Sequence, residues 1–218
     1  MPQNQPIFVA NHMTKHHGSI DSLILLRIRR MKPGTIFTPR DLAPLGSRTA
    51  VASALSRHRK VGSIKQPARG LYQIPETHPL LGELGASPDQ IATALAGKHH
   101  LKLQPSGAYA TNLLGLSDQV PLRIVYLTDG TPRQVRSGKQ QIVLRRTTPR
   151  NMATAGRISG LVIQALRHLG QRHVDRTVIE KLRKRIGPEE RSQLLKDVPL
   201  APLWIGELMR QVATGPQP

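Results

Sequence analysis

Residues that begin and end helices divide residues 19–74 into short elements. The spacing of these residues limits the possible folds more than any other feature of the sequence. Ser19 and Ser47 are placed to cap helices, and Thr38-Pro39 joins a capping hydroxyl to proline at the first helical position. Pro33-Gly34 and Gly46 end the first two helices. The pattern predicts helices over 19–31, 39–45 and 47–60.

Short extended segments complete this region. Thr35–Phe37 is apolar, and Ser63–Gln66 and Leu71–Ile74 are predicted to be two strands joined by a turn at Arg69-Gly70. The order helix, strand, short helix, turn, helix, hairpin is that of a winged helix-turn-helix, with the hairpin as the wing. We therefore expect a DNA-binding domain over residues 19–76.

Positive charge is concentrated in the same region. The chain has 218 residues, with 32 Lys+Arg against 13 Asp+Glu and a formal net charge of +19. Such an excess makes a polyanion the natural partner, and nucleic acid is the commonest one. Residues 19–74 contain 11 basic and only 2 acidic residues, whereas the last third mixes both signs as solvated helices do. The imbalance favours the first third as the binding surface.

The third predicted helix is the candidate recognition element, because a helix fits the major groove and its first turns approach base edges. Cations in the short helix, at the end of the third helix and in the hairpin are expected to contact phosphates. The alternative for this region is a protein-interaction module, a role that many winged helices have. The expected DNA-binding residues are Arg40, Ser47, Arg48, Thr49, Ser53, Arg57, Lys60, Lys65 and Arg69.

The rest of the chain is predicted to form a second unit. Pro75–Pro88 is rich in proline and glycine and is predicted to be a linker. Arg123–Thr128 has the pattern of a buried strand, and Arg133–Arg136 and Gln140–Arg145 that of a hairpin around Ser137-Gly138. Further helices are predicted over 88–98, 107–116, 158–169, 175–186, 188–196 and 201–212.

The expected fold class is α+β, an N-terminal winged helix-turn-helix followed by a small antiparallel sheet packed with C-terminal helices. The α+β domain would span 77–213 and a disordered tail 214–218. Residues 1–18 lack the apolar core of a signal peptide and are expected to form a flexible arm. No stretch of about 18 apolar residues is present, so no membrane partner and a cytoplasmic location are expected.

Residue patterns that support catalysis or cofactor binding are missing from the sequence. The lack of cysteine excludes disulfides, thiol catalysis and thiolate metal sites, and no phosphate-binding glycine loop or nucleophile elbow occurs. Asp118 and Asp129 are 11 residues apart in turns, which does not suit a two-metal site. His99-His100 and the group His12, His16 and His17 lack orienting partners. We therefore expect no catalytic residue, no metal and no cofactor.

One segment of the second unit has a specialised composition. Arg145, Arg146 and Arg150 surround Thr147-Thr148-Pro149, with Asn151 next in the chain. Guanidinium groups suit carboxylates and phosphates, so these four residues are candidates for binding an anion or an acidic partner. The alternative is a solvated strand end with one or two structural ion pairs.

Several segments resemble a known family. The hairpin sequence Ala68-Arg69-Gly70-Leu71-Tyr72 resembles the wing in AbiEi-type antitoxins of bacterial type IV toxin–antitoxin (abortive infection) systems. Leu103–Leu116, Tyr126–Gly130 and Leu144–Asn151 are similar to the second domain of that family. The similarity runs from about Ile20 to Val212.

The resemblance implies an antitoxin that binds inverted repeats upstream of its own operon and represses it, as part of a phage-defence system. It implies a second domain needed for antitoxicity and a cognate nucleotidyltransferase-like toxin. It assigns residues 47–60 and 65–69 to double-stranded DNA and assigns no catalytic residue. Two alternatives are a basic RNA-binding or ribosome-associated protein without catalytic activity, which would need exposed aromatic residues, and an interaction protein that binds an acidic partner.

Overall fold

The computed structural model describes residues 18–97 and 102–215, and it shows an α+β fold. The N-terminal unit, residues 19–74, contains the six elements that the sequence predicts. In chain order they are α1 (Ile20–Arg29), β1 (Ile36–Phe37), a short 3₁₀ helix (Pro39–Leu45), α2 (Arg48–Lys60), β2 (Lys65–Ala68) and β3 (Leu71–Gln73).

Side-chain caps explain where these helices begin. The Ser19 hydroxyl accepts a hydrogen bond from the Ser22 amide, and the Ser47 hydroxyl accepts one from the Ala50 amide. The Thr38 amide donates to the Asp41 carboxylate at 2.8 Å. The element that follows Thr38 is a 3₁₀ rather than an α-helix, because Pro44 lacks an amide donor and disfavours helical geometry in the residue before it.

The three strands of this unit form an antiparallel sheet in the order β1-β3-β2. Phe37 of β1 lies opposite Tyr72 of β3, and their rings stack with centroids 5.8 Å apart. The helices pack on this sheet through a core that includes Ile24, Leu42 and Leu55, all fully buried.

The segment predicted to be a linker instead contains a hairpin. β4 (Glu76–His78) pairs antiparallel with β5 (Gly82–Leu84). Pro79 lies in the turn of this hairpin and Gly82 begins β5. The His78 imidazole Nδ1 accepts hydrogen bonds from the Leu80 and Leu81 amides in this turn. The predicted boundary between residues 76 and 77 therefore falls within β4, and the division into domains stays a prediction.

A four-stranded sheet forms the centre of the second unit, in the order β6-β7-β9-β8. Its strands are β6 (Leu103–Ser106), β7 (Arg123–Thr128), β8 (Arg133–Ser137) and β9 (Gln140–Arg146). The β8–β9 hairpin is antiparallel as predicted, and β6 pairs antiparallel with β7, but β7 and β9 pair in parallel. The expectation of a wholly antiparallel sheet is wrong here because the apolar strand, with Ile142 and Leu144, takes the central position and leaves the polar strand β8 at the edge.

The helices of the second unit cover this sheet and build a core of their own. They are α3 (Pro88–Ala96), α4 (Ala108–Leu113), α5 (Pro149–Met152), α6 (Ile158–Leu169), α7 (Arg176–Arg185), α8 (Pro188–Asp197) and α9 (Leu203–Thr214). α3 packs on the sheet through Ile91 and Leu95, whereas α6 to α9 enclose Leu166, Leu182 and Ile205. Within the described ranges no helix combines the length and apolar character needed to cross a membrane.

The two units share part of a core. Ala68 and Leu71, from the hairpin of the N-terminal unit, are buried in the same cluster as Ile91, Ile124 and Ile142 of the second unit. This packing fixes the hairpin against the four-stranded sheet, with β2 next to β8. Its position is therefore set by the second unit as well as by the first.

The two predicted terminal segments fall largely outside the described residues. Of the expected flexible arm only Gly18 is described. Of the expected disordered tail, Thr214 belongs to α9 and Gly215 caps it. The tail prediction therefore begins too early, because α9 extends to Thr214.

Candidate nucleic-acid interface

The α2 helix separates a buried side from an exposed side. Val51, Ala54, Leu55 and His58 point into the core of the N-terminal unit. The opposite side is exposed, and at 3.6 residues per turn it carries Thr49, Ser53, Ser56 and Lys60. Arg48 is exposed on the flank of this row in the first turn, and we call the five residues together the α2 face. Three of these side chains are short hydroxyls, so the helix backbone can approach a ligand closely.

The N-terminus of α2 is held by its own side chains and by α1. Ser47 is exposed, but its hydroxyl caps the helix and is also 3.1 Å from the Thr49 hydroxyl. Gly46 packs against α1 so tightly that a Cβ there would lie 2.8 Å from Cδ1 of Ile20. This contact sets how the 3₁₀ helix, with Arg40 exposed on it, meets α2.

Arg57 lies on the flank of α2 that faces α1. Its guanidinium donates to Oδ1 of Asp21 from Nη2 at 2.7 Å and from Nε at 3.2 Å. Nε2 of His58 is 3.6 Å from the same oxygen. The hydrogen bond from Arg57 lowers the pKa of the Asp21 carboxyl below its usual range. Arg57, predicted to contact DNA, is therefore engaged in joining α2 to α1.

The hairpin formed by β2 and β3 is held by contacts with α2 and with β5. Arg59 donates from Nη1 to the Gln66 side-chain oxygen at 2.7 Å, which joins the last turn of α2 to β2. Lys65 forms an ion pair with Glu83 of β5. The turn residue Arg69 is exposed beside Gly70, whose φ of 77° is the left-handed conformation that glycine adopts without strain.

The structure brings some of the predicted DNA-binding residues together on one surface and holds others in ion pairs. Arg48, Thr49, Ser53 and Lys60 share the α2 face, and in the described part of the chain none of these cations forms an ion pair. Arg57 and Lys65 are paired with carboxylates, at Asp21 and Glu83. Sequence analysis missed Asp21, Glu83 and Gln66 as partners, because these contacts join residues that no local pattern relates.

The arginine segment of the second unit does not form one cluster. Arg145 and Arg146 are consecutive in β9 and therefore project from opposite faces of the sheet. The Asn151 side chain donates to the Thr147 hydroxyl at 2.9 Å and accepts from Arg167 at 2.8 Å. Asn151 therefore ties the end of β9 to α6, while Arg150 is exposed on α5.

Two acidic residues of the second unit, the buried Asp197 and the exposed Asp89, have structural partners. Asp197 accepts hydrogen bonds from Arg157 at 2.7 Å and from the Ser159 hydroxyl. Asp89 accepts from the hydroxyls of Tyr109 at 2.9 Å and Tyr126 at 2.6 Å. Burial raises the pKa of Tyr109 to about 12 and also raises that of Tyr126. These groups hold helices to the sheet.

The described residues contain no group of three or more His, Asp, Glu or Cys side chains placed to hold a metal ion. The histidines considered from the sequence, His12, His16, His17 and His99-His100, lie outside the described residues.

Together these features define a basic α+β protein that presents an exposed polar helix face in its N-terminal unit. The model of a family of unknown function (DUF6088) matches residues 23–194, so the chain belongs to that family. The match includes both the α2 face and the four-stranded sheet. Curated proteins of known function give no match to the chain.

Proposed function

We propose that the N-terminal unit is a winged helix-turn-helix that binds double-stranded DNA, and that the protein is a transcriptional autorepressor and antitoxin. The observation that carries the DNA-binding proposal is the α2 face, where Arg48 and Lys60 are exposed without ion pairs among the described residues. The core-facing side of the same helix is held by Val51 and Leu55, each at most 2% exposed. A helix anchored in this way presents its outer face as a rigid surface.

The connectivity of the N-terminal unit supports the proposal. The chain runs helix, strand, short helix, helix and hairpin, and β3 lies between β1 and β2. The short helix and α2 meet at Gly46, where an added Cβ would lie 2.8 Å from Cδ1 of Ile20. This connectivity supports the proposal, because the second helix of a helix-turn-helix enters the major groove.

The α2 face has the chemistry that groove binding requires. With α2 in the major groove, Arg48 in its first turn reaches base edges, and a guanidinium can bond both acceptors of guanine. Thr49 and Ser53 permit close approach to the bases. Lys60, at the other end, contacts phosphates, as do Arg40 and Arg69 where the 3₁₀ helix and the hairpin turn flank the groove.

The described aromatic residues favour duplex DNA over unpaired RNA. Phe37, Tyr109 and Tyr126 are buried, Tyr72 stacks on Phe37, and Trp204 packs against the C-terminal core. Recognition of single-stranded RNA relies on exposed aromatic side chains that stack on bases. The RNA-binding alternative therefore has little support in the described part of the chain.

The antitoxin part of the proposal is supported by the resemblance of three segments. Leu103–Leu116 forms β6 and α4, Tyr126–Gly130 includes the end of β7, and Leu144–Asn151 includes the end of β9 and most of α5. Because β6, β7 and β9 are neighbours in one sheet, the three segments lie together in space. The partner in this proposal is a cytoplasmic nucleotidyltransferase-like toxin, neutralised directly or indirectly.

DNA binding is tested with a fluorescent duplex from upstream of the protein's own gene. We expect it to bind more tightly than a scrambled duplex of equal composition and than single-stranded RNA. The slope of log affinity against log salt is expected to be about −0.9 for each phosphate contact. Equal affinity for the two duplexes would contradict sequence-specific repression, and preference for the RNA would support the alternative.

Antitoxicity is tested by co-expression with the product of the neighbouring open reading frame. If that product arrests growth, the full chain should restore it. Variants of Arg145, Arg146 and Arg150 would then show whether these exposed arginines are needed. Growth arrest that persists with the full chain present would contradict the antitoxin assignment and leave the DNA-binding proposal intact.

A further inference from the structure

One face of the four-stranded sheet carries arginines that the proposed DNA contacts do not use. Alternation along β7, β9 and β8 places a set of side chains on the face opposite α3. A hydrogen bond of 3.3 Å between the Gln141 and Gln134 side chains confirms that these residues share it. The set, which we call the open sheet face, is Arg123, Val125, Gln134, Arg136, Gln141 and Val143.

The two arginines of the open sheet face flank one glutamine. Arg123 and Arg136 are both register partners of Gln141, from the strands on either side of it. Since neighbouring strands are about 4.8 Å apart, the two positions are separated by about 10 Å. Both arginines are exposed, and neither forms an ion pair with another described residue. Arg133, on the other face, instead donates to the Leu95 carbonyl at 2.7 Å.

A concavity of about 540 Å³ opens over this row. Lys139, from the turn between β8 and β9, adds a third cation to its lining, which contains no carboxylate. Leu122 also lines it and is 67% exposed, and nearby in the chain Val120 is 66% exposed. The site therefore combines three cations, two amides and an apolar rim.

The open sheet face thus joins positive charge to exposed apolar surface. A second copy of the chain does not suit it, because both molecules carry a net charge of +19. Single-stranded nucleic acid would need aromatic residues for stacking, and the lining has none. Phosphates of a duplex would leave Leu122 and Val120 without a partner, whereas apolar surface beside polar groups is typical of protein interfaces.

We propose that the open sheet face docks an acidic, amphipathic segment of a partner protein. Carboxylates of the segment pair with Arg123 and Arg136, because the guanidinium fork matches carboxylate geometry. Apolar side chains of the segment cover Leu122. The site goes beyond the proposed DNA binding and does not depend on it.

The test uses a fluorescent synthetic peptide in which glutamates alternate with leucines. Controls are a peptide with serine in place of leucine and a single-stranded oligonucleotide of equal charge. The double variant Arg123→Gln/Arg136→Gln should weaken binding of the Glu-Leu peptide by about tenfold, as expected for two charge-assisted bonds. Lys184→Gln/Arg185→Gln on α7 removes the same charge from another exposed site and should leave the affinity unchanged.

A second variant tests the apolar rim. Leu122→Ser should weaken the Glu-Leu peptide and leave the Glu-Ser peptide unaffected, whereas Leu203→Ser, at a leucine that is 79% exposed, should change neither. All these positions are exposed, so thermal unfolding of each variant should match that of the wild type.

Two outcomes would contradict the proposal. If the α7 variant lost as much affinity for the Glu-Leu peptide as the Arg123→Gln/Arg136→Gln variant, the peptide would be attracted by net charge alone. Tighter binding of the oligonucleotide, lost with Arg123 and Arg136, would show a nucleic-acid site. Either outcome overturns the proposal and leaves DNA binding through α2 untouched.

Discussion

Lys65 of β2 forms an ion pair with Glu83 of β5, so the hairpin that follows the N-terminal unit neutralises a cation expected to reach DNA. Both side chains remain partly exposed, at 37% for Lys65 and 54% for Glu83. Water and salt weaken such a pair, so in the proposed complex DNA phosphates would compete with Glu83 for the ammonium group. The β4–β5 hairpin would therefore modulate the charge of the proposed wing.

Glu83→Gln should tighten DNA binding, because it frees Lys65 and removes a negative charge beside the wing. The expected gain is about two- to fivefold at low salt, shrinking as salt rises. Glu207→Gln on α9 removes the same charge elsewhere and serves as the control in a duplex titration. An unchanged or weaker affinity for Glu83→Gln, relative to that control, would contradict this role of the hairpin.

Arg48→Ala and Lys60→Ala should affect DNA binding in different ways. If Arg48 bonds a guanine, its loss costs about 1–3 kcal/mol on the upstream duplex and reduces discrimination against a scrambled one. Lys60→Ala should weaken both duplexes alike and reduce the salt slope by about 1. Titrations across a salt series measure both quantities, with Lys181→Ala on α7 as the control. Equal effects of Arg48→Ala and Lys181→Ala would exclude Arg48 from the interface.

Gly46→Ala should destabilise the N-terminal unit. The new Cβ would lie 2.8 Å from Cδ1 of Ile20 and 3.0 Å from its Cγ2, so the Ile20 side chain, or the helix α1 that carries it, must shift. Overpacking of this kind costs about 1–3 kcal/mol in the free energy of unfolding. The matched control is Gly85→Ala, where nothing lies within 4 Å of the added Cβ. Chemical denaturation measures the difference, and similar stability of the two variants would contradict the close-packing argument.

The Asp21–Arg57 pair predicts how stability depends on pH. The pKa of the Asp21 carboxyl is lowered from its ordinary value of 3.8, so the folded chain releases this proton more readily than the unfolded chain. The stabilising contribution is therefore present above the ordinary pKa and is lost as pH falls through the lower, folded pKa. Asp21→Asn should be less stable than the wild type at neutral pH, and the gap should close at acidic pH. Denaturation at several pH values checks this, and a constant gap would contradict it.

The local elements of this fold are largely predictable from sequence, because their signals lie within a few residues. Ser47 caps α2 as expected, and α6 spans Ile158–Leu169 as its apolar periodicity indicates. Contacts between distant residues are not predictable in this way. The sequence predicts Arg57 as a DNA-binding residue because nothing near it in the chain indicates its ion pair. Its partner, Asp21, lies 36 residues away.

The same limit explains the error in the sheet. The hairpin pattern shows that β8 and β9 pair, but it does not show which of the two lies beside β7. Burial decides this, since Ile142 is 0% exposed in the central strand and the alternating polar residues of β8 suit an edge. The contact of Asn151 with Arg167 was equally unpredictable, because Arg167 belongs to α6 and lies 16 residues further along the chain.

The burial of Ala68 and Leu71 in the core beneath the four-stranded sheet has a thermodynamic consequence. Under the two proposals, a ligand on the sheet that shifts β8 would also shift the β2–β3 hairpin, which packs beside it. Occupancy of the sheet and occupancy of α2 would then be energetically linked. Linkage is reciprocal, and a partner that changes operator affinity by a given factor is itself bound more or less tightly by that same factor when the operator is present. If the protein is the proposed repressor, a second macromolecule bound to the sheet would therefore change the level of repression.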